Sequence, residues 1–481
     1  MKRIVNNKGT TTCAIIVLWA TMVIALPAQT FTTITSFDGT NGKFPYAGLI
    51  QADDGYGYGT TEYGGTSTNC NNGCGTLFKV TPGGAVTSIY SFCLESACPD
   101  GKYPYAPLFQ TAAGDFYGTT AEGGTNNYGT VFEVTASGLT TLHSFLKTDG
   151  ENPFAGVIEG SDGNFYGTTV GGGAASGQGT VFKMTPTGTL TTLYTFCEQG
   201  VVPPCADGDQ PQSALVESAA AIFYGTTSVG GANDGGTVFS ITSTGTLSTL
   251  YSFCALSGCM DGELPYSGLI EAANGIFYGT TFSGGANGGG TVFEITAAGT
   301  FTSLYSFCSQ TACADGGFPN APLVQATDGN FYGTTSAGGT ADAGTIFKIT
   351  PAGVLTTLYS FPGPGGYQVA GLVQATNGDF YGTTWAGGTD SDGTVFNLNV
   401  GLSPFVKAVP PSGAPGAAIR ILGSSLTGTT SVVFAGKPAV FTVVSQTEIQ
   451  ATVPAGAATG IIKVVSPTGT YLSNVKFRVL P

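Results

Sequence analysis

The segment Asp328-Gly329-Asn330-Phe331-Tyr332-Gly333-Thr334-Thr335 contains a tetrapeptide, Tyr-Gly-Thr-Thr, that occurs seven times along the chain. The copies begin at Tyr58, Tyr117, Tyr166, Tyr224, Tyr278, Tyr332 and Tyr381. Each is followed by Gly-Gly, a variable loop and the motif Gly-Thr-(Val/Leu/Ile)-Phe. These second motifs begin at Gly75, Gly129, Gly179, Gly236, Gly290, Gly344 and Gly393. Two motifs that return together seven times indicate a repeated supersecondary unit.

One unit, residues 319–361, reads as four short strands. The first covers residues 319–327, and the Asp-Gly-Asn turn ends it. The others cover residues 331–335, 344–350 and 354–361, with Pro-Ala-Gly turning the third strand back into the fourth. Short runs of Val, Thr, Phe and Tyr between such turns are typical of β-hairpins. Four strands in roughly 50 residues, repeated, predict the blades of a β-propeller.

The two ends of the repeat array complement each other. The last repeat stops after residues 394–399 and has no fourth strand behind it. Residues 31–37 have the sequence of a fourth strand with no blade before them. Pairing these two ends would satisfy backbone groups that an open sheet edge exposes. We therefore expect an all-β fold: a seven-bladed propeller closed by its N-terminal strand.

Strand direction divides the loops between two faces of the predicted propeller. The turns between strands one and two, and between strands three and four, are short and uniform. We call their side the short-turn face. The loops between strands two and three, and between blades, lie on the opposite side because antiparallel strands alternate in direction. This long-loop face contains nearly all the length variation, and variable loops on a rigid scaffold are where binding usually occurs.

The repeats resemble the GloVer tandem-repeat family of exported bacterial proteins, through Asp-Gly-x-Phe-Tyr-Gly-Thr-Thr and Gly-Thr-Val-Phe-x-(Ile/Val)-Thr. Residues 404–481 resemble the IPT/TIG family of immunoglobulin-like domains, through Pro-x-Ser-Gly, Gly-x-x-Leu, Phe-x-Gly-x-x-Ala and Val-Pro-x-Gly. The second resemblance implies an extracellular spacer or adhesion module with a β-sandwich fold. The predicted domains are therefore the propeller at residues 29–400 and the immunoglobulin-like domain at residues 401–481.

Residues 1–28 have the pattern of a secretory signal peptide. A basic start precedes an apolar run from Ala14 to Leu26, and a small residue permits cleavage after Ala28. The formal charge of −14 becomes −17 once the three basic residues of this segment are removed. Such an acidic surface repels nucleic acid, and no basic amphipathic stretch suggests membrane binding. We expect a monomer that is secreted or held at the bacterial cell surface.

Ten cysteines remain after residue 28, and they fall into five close pairs. The pairs are Cys70/Cys74, Cys93/Cys98, Cys197/Cys205, Cys254/Cys259 and Cys308/Cys313. Even numbers at close spacing in an exported chain predict disulfides. Metal binding is the alternative, but separate pairs and a single histidine do not readily supply four-ligand sites. We predict no metal and no cofactor.

Two groups on the long-loop face are candidate binding residues. The residue after Tyr-Gly-Thr-Thr varies between repeats, and it is aromatic at Phe282 and Trp385. In the first repeat the aromatic residue is Tyr63, one position further on. These three rings could stack on sugars. The alternative is packing between blades. An Asp-Gly pair also recurs between blades, and includes Asp100, Asp261 and Asp315. These carboxylates could bind Ca²⁺ or act as an acid/base pair, or they could cap their own loops.

The lone histidine, His143, stands where sister repeats have tyrosine, which favours packing over catalysis. No Gly-x-Ser-x-Gly, His-Glu-x-x-His or phosphate-loop motif is present in the sequence. We therefore expect a non-catalytic binding or adhesion protein whose propeller face recognises a glycan, peptide or surface polymer. Two alternatives stay open: a structural component of the cell envelope, and a glycan hydrolase or lyase that uses aspartates.

Overall fold

The computed structural model describes residues 29–174, 177–198, 205–363 and 369–480. The predicted signal peptide and its cleavage site lie outside these residues. The described part of the chain is all-β, and its only helices are two short 3-10 turns, Ser257–Cys259 and Thr311–Cys313. Neither turn has the length needed to cross a bilayer, and the described residues contain no other helix that could.

Each repeat forms one four-stranded antiparallel sheet, in which neighbours in sequence are neighbours in space. The strands of sheets one to three are Ile50–Gln51, Gly57–Thr61, Thr76–Val80 and Val86–Ser91; Phe109–Gln110, Phe116–Thr120, Thr130–Thr135 and Gly138–Ser144; Ile158–Glu159, Phe165–Thr169, Thr180–Met184 and Leu190–Thr195. Those of sheets four to six are Val216–Glu217, Ile222–Thr227, Thr237–Thr242 and Leu247–Ser252; Ile270–Glu271, Phe277–Thr281, Thr291–Ile295 and Phe301–Ser306; Val324–Gln325, Phe331–Thr335, Thr345–Ile349 and Leu355–Ser360. Such sheets are consistent with propeller-like blades.

The seventh sheet takes its fourth strand from the other end of the chain. Its strands from the last repeat are Val373–Gln374, Phe380–Thr384 and Thr394–Asn399. Thr30–Ser36 pairs antiparallel with the last of these, and the register runs from Thr30 opposite Asn399 to Ser36 opposite Thr394. The N-terminal strand thus joins the ends of the repeat array.

The Tyr-Gly-Thr-Thr motif packs each sheet against the next. The tyrosine ring stacks on the phenylalanine before the next tyrosine, with centroids 3.9–4.6 Å apart. The pairs are Tyr58–Phe116, Tyr117–Phe165, Tyr166–Phe223, Tyr224–Phe277, Tyr278–Phe331 and Tyr332–Phe380. The glycine is needed because a Cβ at Gly333 would lie 2.5 Å from Cζ of Phe347. The motif is therefore a packing motif.

The first and seventh sheets share one of the hydrogen bonds that join consecutive sheets. The first threonine of the motif donates to a carbonyl at the start of the next repeat, as Thr119 Oγ1 does to Ala155 O at 2.9 Å. Thr383 Oγ1 donates in the same way to Ala47 O, also at 2.9 Å. The contact between the two ends of the array thus repeats the contact found within it.

Residues 405–480 form a β-sandwich. One sheet comprises Lys407–Val409, Ala418–Leu422, Glu448–Thr452 and Phe441–Val443, and the other Lys437–Pro438, Ser431–Phe434, Ile462–Ser466 and Gly469–Leu472. A parallel pair, Ser412–Gly413 with Arg478–Val479, adds to these. Alternating apolar residues from both sheets fill one core, as expected for facing sheets.

The sandwich rests on the short-turn face, beside the first and seventh sheets. Arg420 of the sandwich forms an ion pair with Asp53, in the first turn of sheet one. Phe405 N donates to Thr376 O at 2.9 Å, and Ser424 Oγ donates to the same carbonyl at 3.3 Å. The long-loop face is on the opposite side, so the sandwich leaves it accessible.

Candidate functional site

Four aromatic residues lie at the long-loop end of the first strands. Each follows the proline of a recurring Pro-x-(Ala/Ser) segment, and together they form what we call the aromatic collar: Tyr46, Tyr105, Phe154 and Tyr266. The corresponding positions of repeats four and six are Gln212 and Asn320. Tyr46 is 44% exposed and Phe154 36% exposed, which is unusual for large rings in a chain whose other aromatics are mostly buried.

Three of the four collar residues contact one another from sheet to sheet. The Tyr46 and Tyr105 rings meet edge to face at 5.5 Å, and Tyr105 and Phe154 meet at 5.1 Å. Burial, together with the charges of Glu62 and Tyr266, raises the pKa of Tyr46.

Polar groups beside the collar complete a site with mixed character. Glu62 is buried and accepts a hydrogen bond from Tyr105 Oη. Asn320 lines a small pocket with Tyr46, and its Oδ1 is buried without a hydrogen-bond partner among the described residues. A buried polar atom is normally paired, and the pocket that Asn320 lines, of about 20 Å³, has room for one water molecule.

Tyr63 and Trp385, which the sequence put forward as sugar-stacking residues, meet through a third ring, Phe44. Trp385 stacks on Phe44 at 4.2 Å, and Tyr63 meets the edge of Phe44 at 6.0 Å. Burial, followed by the hydrogen bond and charge of Glu62, raises the pKa of Tyr63 to about 12. One face of Trp385 is thus occupied by packing against Phe44.

Phe282, the third aromatic candidate, lies between two rings. Tyr266 of the collar is 5.2 Å away and Phe318 is 5.3 Å away, centroid to centroid. Phe282 thus contacts a collar residue directly, whereas Tyr63 and Trp385 contact Phe44. The collar residues themselves escaped the sequence reasoning, although comparing the Pro-x-(Ala/Ser) segments would have revealed the variable position.

The candidate carboxylates Asp100, Asp261 and Asp315 accept hydrogen bonds from their own repeats. Their donors on the fourth strands, at 2.7–2.8 Å, are Tyr90, Tyr251 and Tyr305. Backbone amides of the same loops donate as well. Asp261 and Asp315 are 1% and 0% exposed. This geometry is that of loop caps, and it leaves these groups little access to a substrate.

His143 takes the place of a tyrosine in the same arrangement. Its Nε2 lies 3.1 Å from Asp149 Oδ2, and its ring meets Phe145 edge to face at 5.1 Å. The histidine therefore serves both the packing and the hydrogen bond that tyrosine provides in the sister repeats.

All five predicted disulfides are present: Cys70–Cys74, Cys93–Cys98, Cys197–Cys205, Cys254–Cys259 and Cys308–Cys313. Two of them lie side by side, so that the sulfur atoms of Cys70, Cys74, Cys93 and Cys98 are within 4.8 Å of one another. The sequence reasoning treated the pairs as separate and did not anticipate this. As disulfides, these sulfurs staple the loops of the first two repeats.

Repeats of this kind followed by a sandwich define an all-β repeat protein, and comparison with known families gives the assignment. The profile of the Gloeobacter/Verrucomicrobia repeat matches residues 63–270 and 254–431. The IPT/TIG domain matches residues 404–479. The chain therefore belongs to the Gloeobacter/Verrucomicrobia repeat family and carries a C-terminal IPT/TIG domain. No curated protein matches its sequence.

Solved structures resemble the chain in fold. A fungal alcohol oxidase of the AA5 family, in complex with copper, has a TM-score of 0.50 and 12% identity; the match covers 94% of this chain and 99% of that one. A protein of unknown function from Dyadobacter fermentans has a TM-score of 0.43 and 11% identity, over 77% and 98% of the two chains. At such identities the likeness concerns the fold alone.

Proposed function

We propose that this protein is an exported, non-catalytic binding protein that recognises a glycan with the aromatic collar of a closed, seven-bladed propeller. The closure is supported by the pairing of Thr30–Ser36 with the last repeat and by the Thr383–Ala47 hydrogen bond. Export is supported by the five disulfides and the IPT/TIG domain, which are typical of extracellular proteins.

One observation carries the assignment of the site: exposed rings and an unpaired polar acceptor occur together. Tyr46 and Phe154 expose ring surface, and Asn320 Oδ1 lies buried and unpaired beside Tyr46 within the described residues. Sugars present an apolar ring face edged with hydroxyl groups, so they match aromatic faces next to acceptors. A glycan is therefore the ligand class that the collar fits best.

Catalysis by the predicted aspartates is disfavoured by their surroundings. A glycosidase needs two carboxyl groups that reach the scissile bond, one of them with a raised pKa. Asp315 instead accepts four hydrogen bonds from Tyr305, Ser309 and Gln310. Burial alone would raise its pKa, but these hydrogen bonds outweigh burial and the pKa is lowered. Such a group is an anion held by its loop.

The test is a glycan-array screen of residues 29–481 beside Tyr46→Ala and Phe154→Ala. Tyr56→Ala is the matched control, because Tyr56 is an aromatic residue next to a turn on the short-turn face. We expect binding that both collar variants weaken at least tenfold and that the control retains. Binding by the collar variants equal to that of the unaltered protein, or no glycan bound by the unaltered protein, would refute the proposal.

A further inference from the structure

One of the seven junctions between sheets lacks the ring that fills the other six. In six repeats a phenylalanine precedes the motif tyrosine and stacks on the tyrosine of the previous repeat. In the first repeat Gly57 takes that position, so Tyr381 of the seventh sheet meets no such phenylalanine. Tyr381 is accordingly half-buried, whereas the tyrosines of the other six repeats are buried.

This difference opens a cavity of about 280 Å³ between the first and seventh sheets, which we call the seam cavity. Its walls include Ile34, Leu49, Gly57, Val80, Val373 and Tyr381. Its rim is formed by the sandwich, through Ser424, Gln446 and Thr447. The seam cavity lies on the short-turn face, opposite the aromatic collar, so it is a separate site.

We propose that the seam cavity binds a small molecule that carries a six-membered aromatic ring and a polar substituent. The other six junctions indicate the kind of ring, because each holds a phenylalanine ring against its tyrosine with centroids 3.9–4.6 Å apart. The same geometry at the seam places a ligand ring on the face of Tyr381. An apolar cavity of about 150 Å³ is enough to bind benzene, so the volume accommodates a ring with a substituent.

Polar side chains near the rim of the seam cavity are the reason for proposing a polar substituent on the ligand. The side-chain amide of Gln446 makes no hydrogen bond within the described residues, and it can donate and accept. Tyr381 Oη accepts a hydrogen bond from Asn377 Nδ2 at 3.1 Å and can still donate. A phenol-like ligand with its ring on Tyr381 would direct its hydroxyl group toward these residues. The sandwich thus adds polarity that the sister junctions do not have.

A phenylalanine can replace Gly57 without a new backbone conformation. Gly57 lies opposite Val80 in the register of strands two and three, as Phe116 lies opposite Val134 in the second sheet. A Cβ at Gly57 would meet Val80 Cγ1 at 2.8 Å, so a small shift of that side chain is needed. Gly57→Phe should therefore fill the cavity in the way the sister repeats do.

The experiment is a ¹⁹F NMR titration of residues 29–481 with 4-fluorophenol. We expect saturable broadening that Gly57→Phe and Tyr381→Leu each weaken at least tenfold, while Tyr46→Ala leaves it unchanged. Tyr381→Leu removes the aromatic face on which the ligand ring would stack. It tests the same cavity by a second route if Gly57→Phe folds poorly. Benzyl alcohol should displace the probe at least tenfold better than cyclohexylmethanol.

Three results would overturn the inference. Both cavity variants could bind the probe as tightly as the unaltered protein, or the unaltered protein could show no saturable broadening. Equal displacement by benzyl alcohol and cyclohexylmethanol would show that the cavity selects apolar volume and not an aromatic ring. No glycan is present in this titration, and Tyr46→Ala reports any binding of the probe at the collar, so the outcome is independent of the function proposed above.

Discussion

Phe37 directly follows the N-terminal strand, Thr30–Ser36. Replacing Phe37 tests whether this strand is an integral part of the fold. Phe37 is fully buried, its ring meets Phe78 of the first sheet edge to face at 4.9 Å, and its amide donates to Gly393 O at 3.0 Å. Phe253 occupies the same position after the fourth strand of an internal sheet, and its amide donates to Gly236 O at 2.9 Å. Phe253 is therefore the matched control.

Truncating a buried phenylalanine to alanine costs about 3–5 kcal/mol of unfolding free energy. The unfolding entropy of roughly 370 residues is about 0.8 kcal/mol per degree, at ~2.1 cal/mol/K per residue. Phe37→Ala should therefore lower Tm by about 4–6 °C, because the cost is divided by that entropy. Phe253→Ala should lower Tm by the same amount, since its packing and backbone hydrogen bond are equivalent.

Differential scanning calorimetry of the two variants measures this directly. Equal shifts would show that the N-terminal strand is as integral to the fold as an internal fourth strand. A shift below about 1 °C for Phe37→Ala, beside the full shift for Phe253→Ala, would refute the reasoning about how the ring closes.

Two carboxylates should change stability with pH in opposite directions. Asp315→Asn should lower the unfolding free energy at pH 7 by about 1–2 kcal/mol, since charged hydrogen bonds are lost. Because the pKa of Asp315 is lowered in the folded state, the stability that its charge contributes is lost as the pH falls below about 4. A difference in stability between Asp315→Asn and the unaltered protein that persists unchanged to about pH 3 would contradict this prediction. Burial, then the charge of Asp234, raises the pKa of Asp209 to about 6, and its Oδ1 has no hydrogen-bond partner in the described chain. Asp209→Asn should therefore raise the unfolding free energy at pH 8 by about 1 kcal/mol, a figure reduced because Asp209 is partly exposed, and this gain should disappear toward pH 4. Urea denaturation between pH 3 and pH 8 measures the stability of both variants. If Asp209→Asn is no more stable than the unaltered protein at pH 8, the prediction for Asp209 is contradicted.

The repeats made the sheets predictable, because each strand and turn carries its own local pattern seven times. The loop-capping role of Asp100 was one of the alternatives the sequence offered, since Asp-Gly is a turn pair. Its tyrosine donor was not foreseen, because Tyr90 lies ten residues earlier, across a variable loop. The disulfides were predictable from the even number and close spacing of the cysteines in a chain expected to be exported.

The collar and the seam cavity depend on contacts between distant repeats, and this is why the sequence did not reveal them. Tyr46 and Asn320 belong to repeats one and six, and they line one pocket only through the arrangement of the sheets. Gly57 looked like one glycine among 76. Its consequence appears only when Tyr381, from the far end of the array, is placed beside it. Such pairings are set by tertiary packing and not by local pattern.

The most direct test of the binding proposal uses the natural fluorescence of residues 29–481. Trp19 lies in the predicted signal peptide, so residues 29–481 contain one tryptophan, Trp385. Trp385 stacks on Phe44, two residues from Tyr46 of the collar. Titrating a glycan selected on the array should change Trp385 emission saturably, and Tyr46→Ala should abolish the change while the far-ultraviolet circular dichroism stays the same. A glycan that binds without changing the emission, and binds Tyr46→Ala as tightly, would show that the collar is not the binding site.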